Sequence, residues 1–265
     1  MSLPEIVTRE EWLVARRALL AKEKELTRAR DAVNAERRRM PMVEVTEDYR
    51  FTGPDGPLTL VDLFEGRRQL VLHQFMWDHE VDEDGVEHPK DTGCPSCSAT
   101  ADDIGRLEHL HAANTTLAAV TRAPYPTIAA FRERMGWTFP WYSSQGSRFG
   151  YDFWSTVDDR VAPVLLNFRS EPEPELAAAG IEWGPHRRGD HPGVSAFLRD
   201  GDRVFHTWSG FARALEDTGT TSAYLDLTAL GRQQAWEEPA GRAEALGLHA
   251  GGPGLRFHDE YPPGA

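Results

Sequence analysis

The chain has 265 residues, with 42 acidic against 29 basic side chains and a formal charge of −13. That balance excludes a surface built for nucleic acid or an anionic membrane, since both need clustered positive charge. No run of 18 apolar residues occurs, so no transmembrane helix is expected. Met1-Ser2-Leu3-Pro4-Glu5 lacks the charged-then-apolar pattern of a secretory signal, so a cytoplasmic protein is expected.

Taken in order, Thr8-Arg9-Glu10-Glu11 fits a capping box with Thr8 as N-cap and Glu11 as its partner. A long helix is predicted from there to about Arg38, stopped at Met40-Pro41. Trp12, Leu19, Leu26 and Val33 recur every seven residues, with Ala15 and Ala29 between them. So narrow a seam predicts packing on the body of the protein, with a second chain (a homodimer) as the alternative. Strands follow: Tyr49 to Thr52, a turn at Gly53-Pro54-Asp55-Gly56, then Leu58 to Leu60 entering a helical turn. Gln69 to Trp77 is a nearly continuous apolar run of strand length, which predicts a central strand covered on both faces.

Residues 78–92 form an acidic, polar insertion, predicted to be a solvated loop or a lid whose charge opposes thiolate formation nearby. Behind it comes Gly93-Cys94-Pro95-Ser96-Cys97, which holds the only two cysteines of the chain. Two thiols spaced C-x-x-C in a cytoplasmic chain point to redox chemistry or metal binding. Pro95 suits a first helical turn, because its missing N–H costs nothing there. A helix is predicted from the motif to near Ala113, with Ile104, Leu107 and Leu110 as its buried stripe. Cys94 then sits at a helix N-terminus, where unpaired N–H groups and the helix dipole favour a thiolate. Cys94 is the expected attacking thiol and Cys97, one turn in, the resolving one.

A second buried strand is predicted over Thr115 to Thr121, a helix over Thr127 to Met135 with Gly136 as C-cap, and a third strand over Trp137 to Tyr142. Ser143 to Tyr151 reads as a polar loop. From Asp152 to Pro192, prolines at 163, 172, 174, 185 and 192 predict an irregular insertion with Trp154, Val164, Leu165, Leu166 and Phe168 packing back on the core. Gly193 to Leu198 and Arg203 to Trp208, joined by Arg199-Asp200-Gly201-Asp202, form the clearest hairpin. A helix near Phe211 to Glu216, a last apolar stretch Tyr224 to Leu227 and a mobile Gly/Pro-rich tail from Glu238 complete the prediction.

Phe51-Thr52-Gly53-Pro54-Asp55-Gly56 with Leu60 to Gly66, then the apolar strand and the cysteines, resembles the thioredoxin-like superfamily in its peroxiredoxin-like branch. The whole chain is similar to the bacterial DUF899 family. The matching stretches are the N-terminal helix, His73 to Trp77, Gly93 to Cys97 with Asp102, Arg134-Met135-Gly136-Trp137, Ser195 to Leu198 and Phe205 to Ser209. The resemblance implies an α/β, three-layer thioredoxin-like fold with a central mixed sheet. It also implies a cis-proline facing the cysteines at the start of the late hairpin. Pro192 is the nearest candidate, with Gly193 at the expected place.

The expected organisation is an N-terminal helical extension (1–42), a thioredoxin-like domain (43–238) with insertions at 78–92 and 143–192, and a tail (239–265). The expected site is Cys94 and Cys97, supported by Pro95, Ser96, Asp102, Trp77, Pro192 and Gly193. Asp102 is expected either to accept the Cys97 proton or to favour the helix N-terminal end by its charge. No cofactor is expected in this reading, which takes a small-molecule or protein disulfide, or a peroxide, as substrate. An alternative is zinc or copper held by Cys94 and Cys97 with His73, His79 and His88. His109 is too far for this, ~18 Å from Cys97 along a helix. His206, in a strand, reads as a hydrogen-bonded core histidine. A third reading is a structural protein with inert thiols.

Overall fold

The computed structural model describes residues 3–83, 86–170 and 188–262. The predicted helix is α1, Arg9–Arg39, closed by the expected capping box: Thr8 Oγ1 accepts from the Glu11 N–H, and the Glu11 carboxylate accepts from the Thr8 N–H. Its seam does not pack on the body as expected. No α1 side chain is buried; the helix touches the body through Arg30, 3.8 Å from Asp217, and Arg37, whose guanidinium stands 5.0 Å from the centre of the Trp208 ring.

Twelve strands are described: β1 Val43–Val45, β2 Arg50–Gly53, β3 Gly56–Thr59, β4 Gln69–Gln74, β5 Trp77–Val81, β6 Glu87–Gly93, β7 Thr115–Thr121, β8 Trp141–Ser143, β9 Thr156–Val157, β10 Gly189–Asp190, β11 Gly193–Asp200 and β12 Arg203–Phe211. Eight of them form one mixed sheet in the order β1-β12-β11-β4-β7-β8-β2-β3. β4 and β7 run parallel, β7 and β8 run parallel, and β11 lies antiparallel to β4. A strand leading to C-x-x-C, set between a parallel neighbour and an antiparallel hairpin, makes this the expected thioredoxin-like α/β fold.

The pleat explains the two cores. Alternate side chains of a strand face opposite ways. Leu70 and Leu72 of β4 with Ala118 and Val120 of β7 enter one cluster with Phe51, Leu63, Phe64, Phe149 and Phe197. Phe75 and Ala119 enter the other, with Trp77, Ile128, Phe131, Phe139, Trp141 and both cysteines. Burying each such leucine stabilises the fold by about 1.5–3 kcal/mol. The aromatic rings of the second cluster meet mostly edge-on, as with Trp77 on Phe131 at 5.5 Å and 84°.

Several boundaries differ from the sequence prediction, each for a local reason. The central strand stops at Gln74, after which the chain bends round the cysteine motif. The acidic insertion is a two-stranded ribbon, β5 with β6, and not a loop. The helix after the motif breaks in two, α2 Pro95–Asp102 and α3 Glu108–Ala112, with helix-breaking Gly105 between them. Ile104 and Leu107 still pack on the second cluster. The helix α4, Tyr125–Arg134, ends before Gly136, whose φ of 65° is the left-handed cap geometry. Trp137 to Tyr142 yields only β8, because Pro140 has no N–H to give to the ladder; its carbonyl accepts from Ala119 at 2.8 Å instead. The predicted loop 143–151 contains the short helix α5, Phe149–Asp152.

Residues 171–187 of the second insertion, with Pro172, Pro174 and Pro185, lie outside the described residues. On its near side Leu166 is buried, and Phe168 contacts Trp154 and Phe211. The late hairpin is β11 and β12, turning at Gly201 with φ 61°. His206 is the expected hydrogen-bonded histidine, 2.7 Å from Ser209 Oγ, which in turn meets Ser195 Oγ at 2.7 Å.

Candidate active site around Cys94 and Cys97

Cys94 is the N-cap of α2, with φ −65° and ψ 128°, and Pro95 opens the first turn. Its carbonyl accepts from the Ser98 N–H and from Ser98 Oγ, both at 3.0 Å. The bend after β4 clamps both cysteines through one residue. Met76 O accepts from the Cys94 N–H at 3.2 Å, and the Met76 N–H donates to Cys97 Sγ at 3.4 Å. Gly93 is required before the motif: a Cβ there would collide with the Phe75 ring. Both thiols are free.

The two sulfurs are electrically unlike. The Cys94 pKa is lowered to about 6, chiefly by a hydrogen bond from Cys97, helped by the Cys97 and Ser96 N–H groups and opposed by burial and by Asp78. The Cys97 thiol is raised well above its usual value by its hydrogen bond to Cys94, by burial, and by the Cys94 and Asp190 charges, with the Met76 N–H opposing. The two thiols therefore shift in opposite directions, with the N-cap sulfur the more acidic of the pair. The acidic insertion opposes the thiolate as expected, through Asp78 on β5.

Asp102 ends α2, so it does not favour the helix N-terminal end. Its Oδ1 accepts from Trp137 Nε1 at 2.8 Å and lies 2.7 Å from His258 Nδ1. The carboxylate whose charge reaches Cys97 is instead Asp190, which the sequence reading missed. Asp190 is held by Arg122 at 3.2 Å and by Thr156 Oγ1 at 3.0 Å, and its burial raises its pKa. Arg122 also bonds Glu87 of the ribbon at 2.9 Å. Asp190 stands beyond an irregular stretch, and no periodic signal marked it.

The other supporting residues fall as follows. Trp77 lies in the cluster beneath the motif and donates to Lys90 O at 2.8 Å. Gly193 opens β11 opposite Gln74 and Phe211. The expected cis-proline is not at Pro192: Glu238–Pro239 is the only cis peptide bond among the described residues.

The tail, predicted to be mobile, folds back over α2 and α4. The Gly251 N–H donates to Ser96 Oγ at 3.0 Å, and Phe257 enters the cysteine cluster against Phe131, with ring centroids 5.5 Å apart. Arg134 grips Asp259 at 2.8 and 2.9 Å and Glu260 at 3.0 Å, its guanidinium 5.0 Å from the Phe257 ring centre. Under this cover Cys94 is 5 % exposed and Cys97 1 %.

The histidines of the metal alternative do not converge. His73 is buried in β4 beside Phe75, His79 bonds Trp77 O at 3.0 Å, and His88 pairs with Asp82 at 2.7 Å. Among the described residues, no three His, Cys, Asp or Glu side chains are gathered so as to hold a metal. His73 has a different consequence. Burial lowers its pKa from 6.5 to about 4. The unfolded chain therefore binds a proton that the folded chain refuses, so the stabilisation is complete above pH 6.5 and is lost as pH falls towards 4. The loss is about 3 kcal/mol at ~1.4 kcal/mol per pKa unit. Urea unfolding as a function of pH should show it, and His73→Leu should flatten that slope. An unchanged slope in the variant would refute the assignment.

A family model described as "Bacterial protein of unknown function (DUF899)" matches residues 1–261. No curated protein matches the sequence. Among solved structures, a mutant of PrxQ from Xylella fastidiosa is similar at 12 % identity and a TM-score of 0.41, over 70 % of this chain and 97 % of that one. The peroxidoxin BcpB from Mycobacterium tuberculosis is similar at 15 % identity and TM-score 0.36, over 69 % and 95 %. A secreted disulfide oxidoreductase from Mycobacterium tuberculosis is similar at 16 % identity and TM-score 0.29, over 67 % and 96 %. Among the described residues, no helix is long and apolar enough to cross a membrane.

Proposed function

The chain belongs to the DUF899 family, and we propose that this member is a thiol–disulfide oxidoreductase working through Cys94 and Cys97. The observation that supports this most is the opposed pair of thiols at the mouth of α2: Cys94 lowered to about 6, Cys97 raised. In the first step the Cys94 thiolate attacks one sulfur of a substrate disulfide. An S–S bond forms to Cys94, the substrate bond breaks, and the leaving thiolate takes a proton from water. In the second, Cys97 gives its proton to the Asp190 carboxylate and attacks Cys94 Sγ. The substrate's second thiolate leaves, the Cys94–Cys97 disulfide remains, and an external dithiol must reduce it for another turn. Burial raises the pKa of Asp190, which makes its carboxylate a better proton acceptor than an exposed one.

A peroxide is the second substrate class. The Cys94 thiolate would then attack one peroxide oxygen, breaking the O–O bond to leave a sulfenic acid, while the other oxygen departs as an alcohol or water after taking up a proton. Cys97 would displace water from the sulfenic acid to form the Cys94–Cys97 disulfide. For either class the tail must leave Ser96 and Phe131 before a substrate reaches sulfur. Cys97→Ser separates the two. A disulfide substrate should accumulate as a mixed disulfide on Cys94, and a peroxide as a sulfenic acid, both read by intact mass. A Cys97→Ser protein that accumulates neither adduct would overturn the proposal.

A further inference from the structure

The face of α1 that the body leaves open has a regular character. This 31-residue helix buries none of its side chains, and Trp12, Leu19, Leu26 and Val33 are 55, 52, 64 and 57 % exposed. Helices in proteins owe most of their stability to packing of an apolar face, and here that face points to water. The body contacts lie on the flank beside the seam, one helical turn from Leu26 and Val33: the Arg37 guanidinium sits 5.0 Å from the centre of the Trp208 ring and Arg30 lies 3.8 Å from Asp217, while the four seam residues themselves stay exposed.

Two properties of the helix specify its partner. Its charge is polarised, with Glu10 and Glu11 in the first turn and Arg37, Arg38 and Arg39 in the last. A second copy laid parallel would stack like charges on like, whereas an antiparallel copy sets each acidic end beside a basic one. The seam is also symmetric about its own centre. Trp12 and Val33 stand equally far from the Lys22–Glu23 bond, and so do Leu19 and Leu26. A surface that repeats under a half-turn is what a two-fold interface between identical chains requires.

We propose that α1 pairs antiparallel with α1 of a second copy, about a two-fold axis near Lys22 and Glu23. Trp12 then lies near Val33 of the second copy, Leu19 near Leu26, and Lys22 beside Glu23. The pairing is independent of the thiol chemistry, so each can fail without the other.

The test uses the full-length protein. Light scattering during gel filtration should give twice the chain mass of 29.7 kDa. Leu19→Glu with Leu26→Glu should halve the measured mass while the thermal transition of the body persists. Orientation is read by cross-linking in a Cys94→Ser, Cys97→Ser background. Lys22→Cys should link to its own copy, whereas Arg9→Cys should not, since its two copies stand roughly 40 Å apart at 1.5 Å per residue. A monomeric wild-type chain, a folded double variant that stays dimeric, or self-linking of Arg9→Cys would each overturn the proposal.

Discussion

Cys94→Ser should abolish disulfide reduction, with a loss of at least about a thousandfold, the scale seen when an enzyme loses its nucleophile. The serine keeps the N-cap position and the hydroxyl can still bond locally, so the fold should be retained. What disappears is the one group whose negative charge the site stabilises, since a hydroxyl is not ionised near pH 6. Cys97→Ser should behave differently, forming the adduct and then stalling. The variant will also react less readily, because its hydroxyl is a different donor to the Cys94 sulfur from the Cys97 thiol, whose hydrogen bond is the first cause of the lowered pKa. Equal activity of Cys94→Ser and the wild-type protein would remove the nucleophile from the scheme.

The second large effect concerns the tail. Phe257 fills the space beside Phe131 and belongs to the same apolar cluster as both cysteines. Truncating a buried phenylalanine costs about 3–5 kcal/mol in a core. In Phe257→Ala the docking of one segment absorbs that cost, so at ~1.4 kcal/mol per factor of ten the open state should gain about two to three orders of magnitude in population, and Cys94 alkylation should accelerate accordingly. Arg134→Ala should act in the same direction by releasing Asp259 and Glu260, but less, because exposed ion pairs contribute only about 0–1 kcal/mol each. A Phe257→Ala protein that melts as the wild type does and alkylates no faster would show that the tail does not govern access.

These two effects stand at opposite ends of what the sequence could disclose. The placing of Cys94 at a helix N-cap was legible because its determinants are local: Pro95 and the paired thiols lie within one turn of helix, and the preceding strand announced itself as an apolar run. The capping box at Thr8 and Glu11 was legible for the same reason. The tail was not, because composition there is rich in glycine and proline, and its docking depends on Ser96 meeting Gly251 and Asp102 meeting His258 across more than 150 residues. Asp190 escaped similarly. Its burial follows from pairing of β9 and β10 and from Arg122 at the end of β7, none of which has a periodic signature. Arg134 and Trp137 were legible as parts of a predicted helix, a predicted strand and a family motif, none of which disclosed their partners. In the folded chain Arg134 holds the tail and Trp137 holds Asp102. The exposed seam of α1 shows the converse. Its seven-residue repeat was plain in the sequence, but what the repeat packs against is decided by the shape of the rest of the chain.

The central claim is that Cys94 is a thiolate at neutral pH, and the rate of its alkylation against pH, followed by mass spectrometry on the wild-type protein, tests it most directly. The rate should rise with pH as a single titration with its midpoint about 6 and be level by neutral pH. A midpoint near the ordinary thiol value of about 8.5, or a thiol inert throughout, would contradict it.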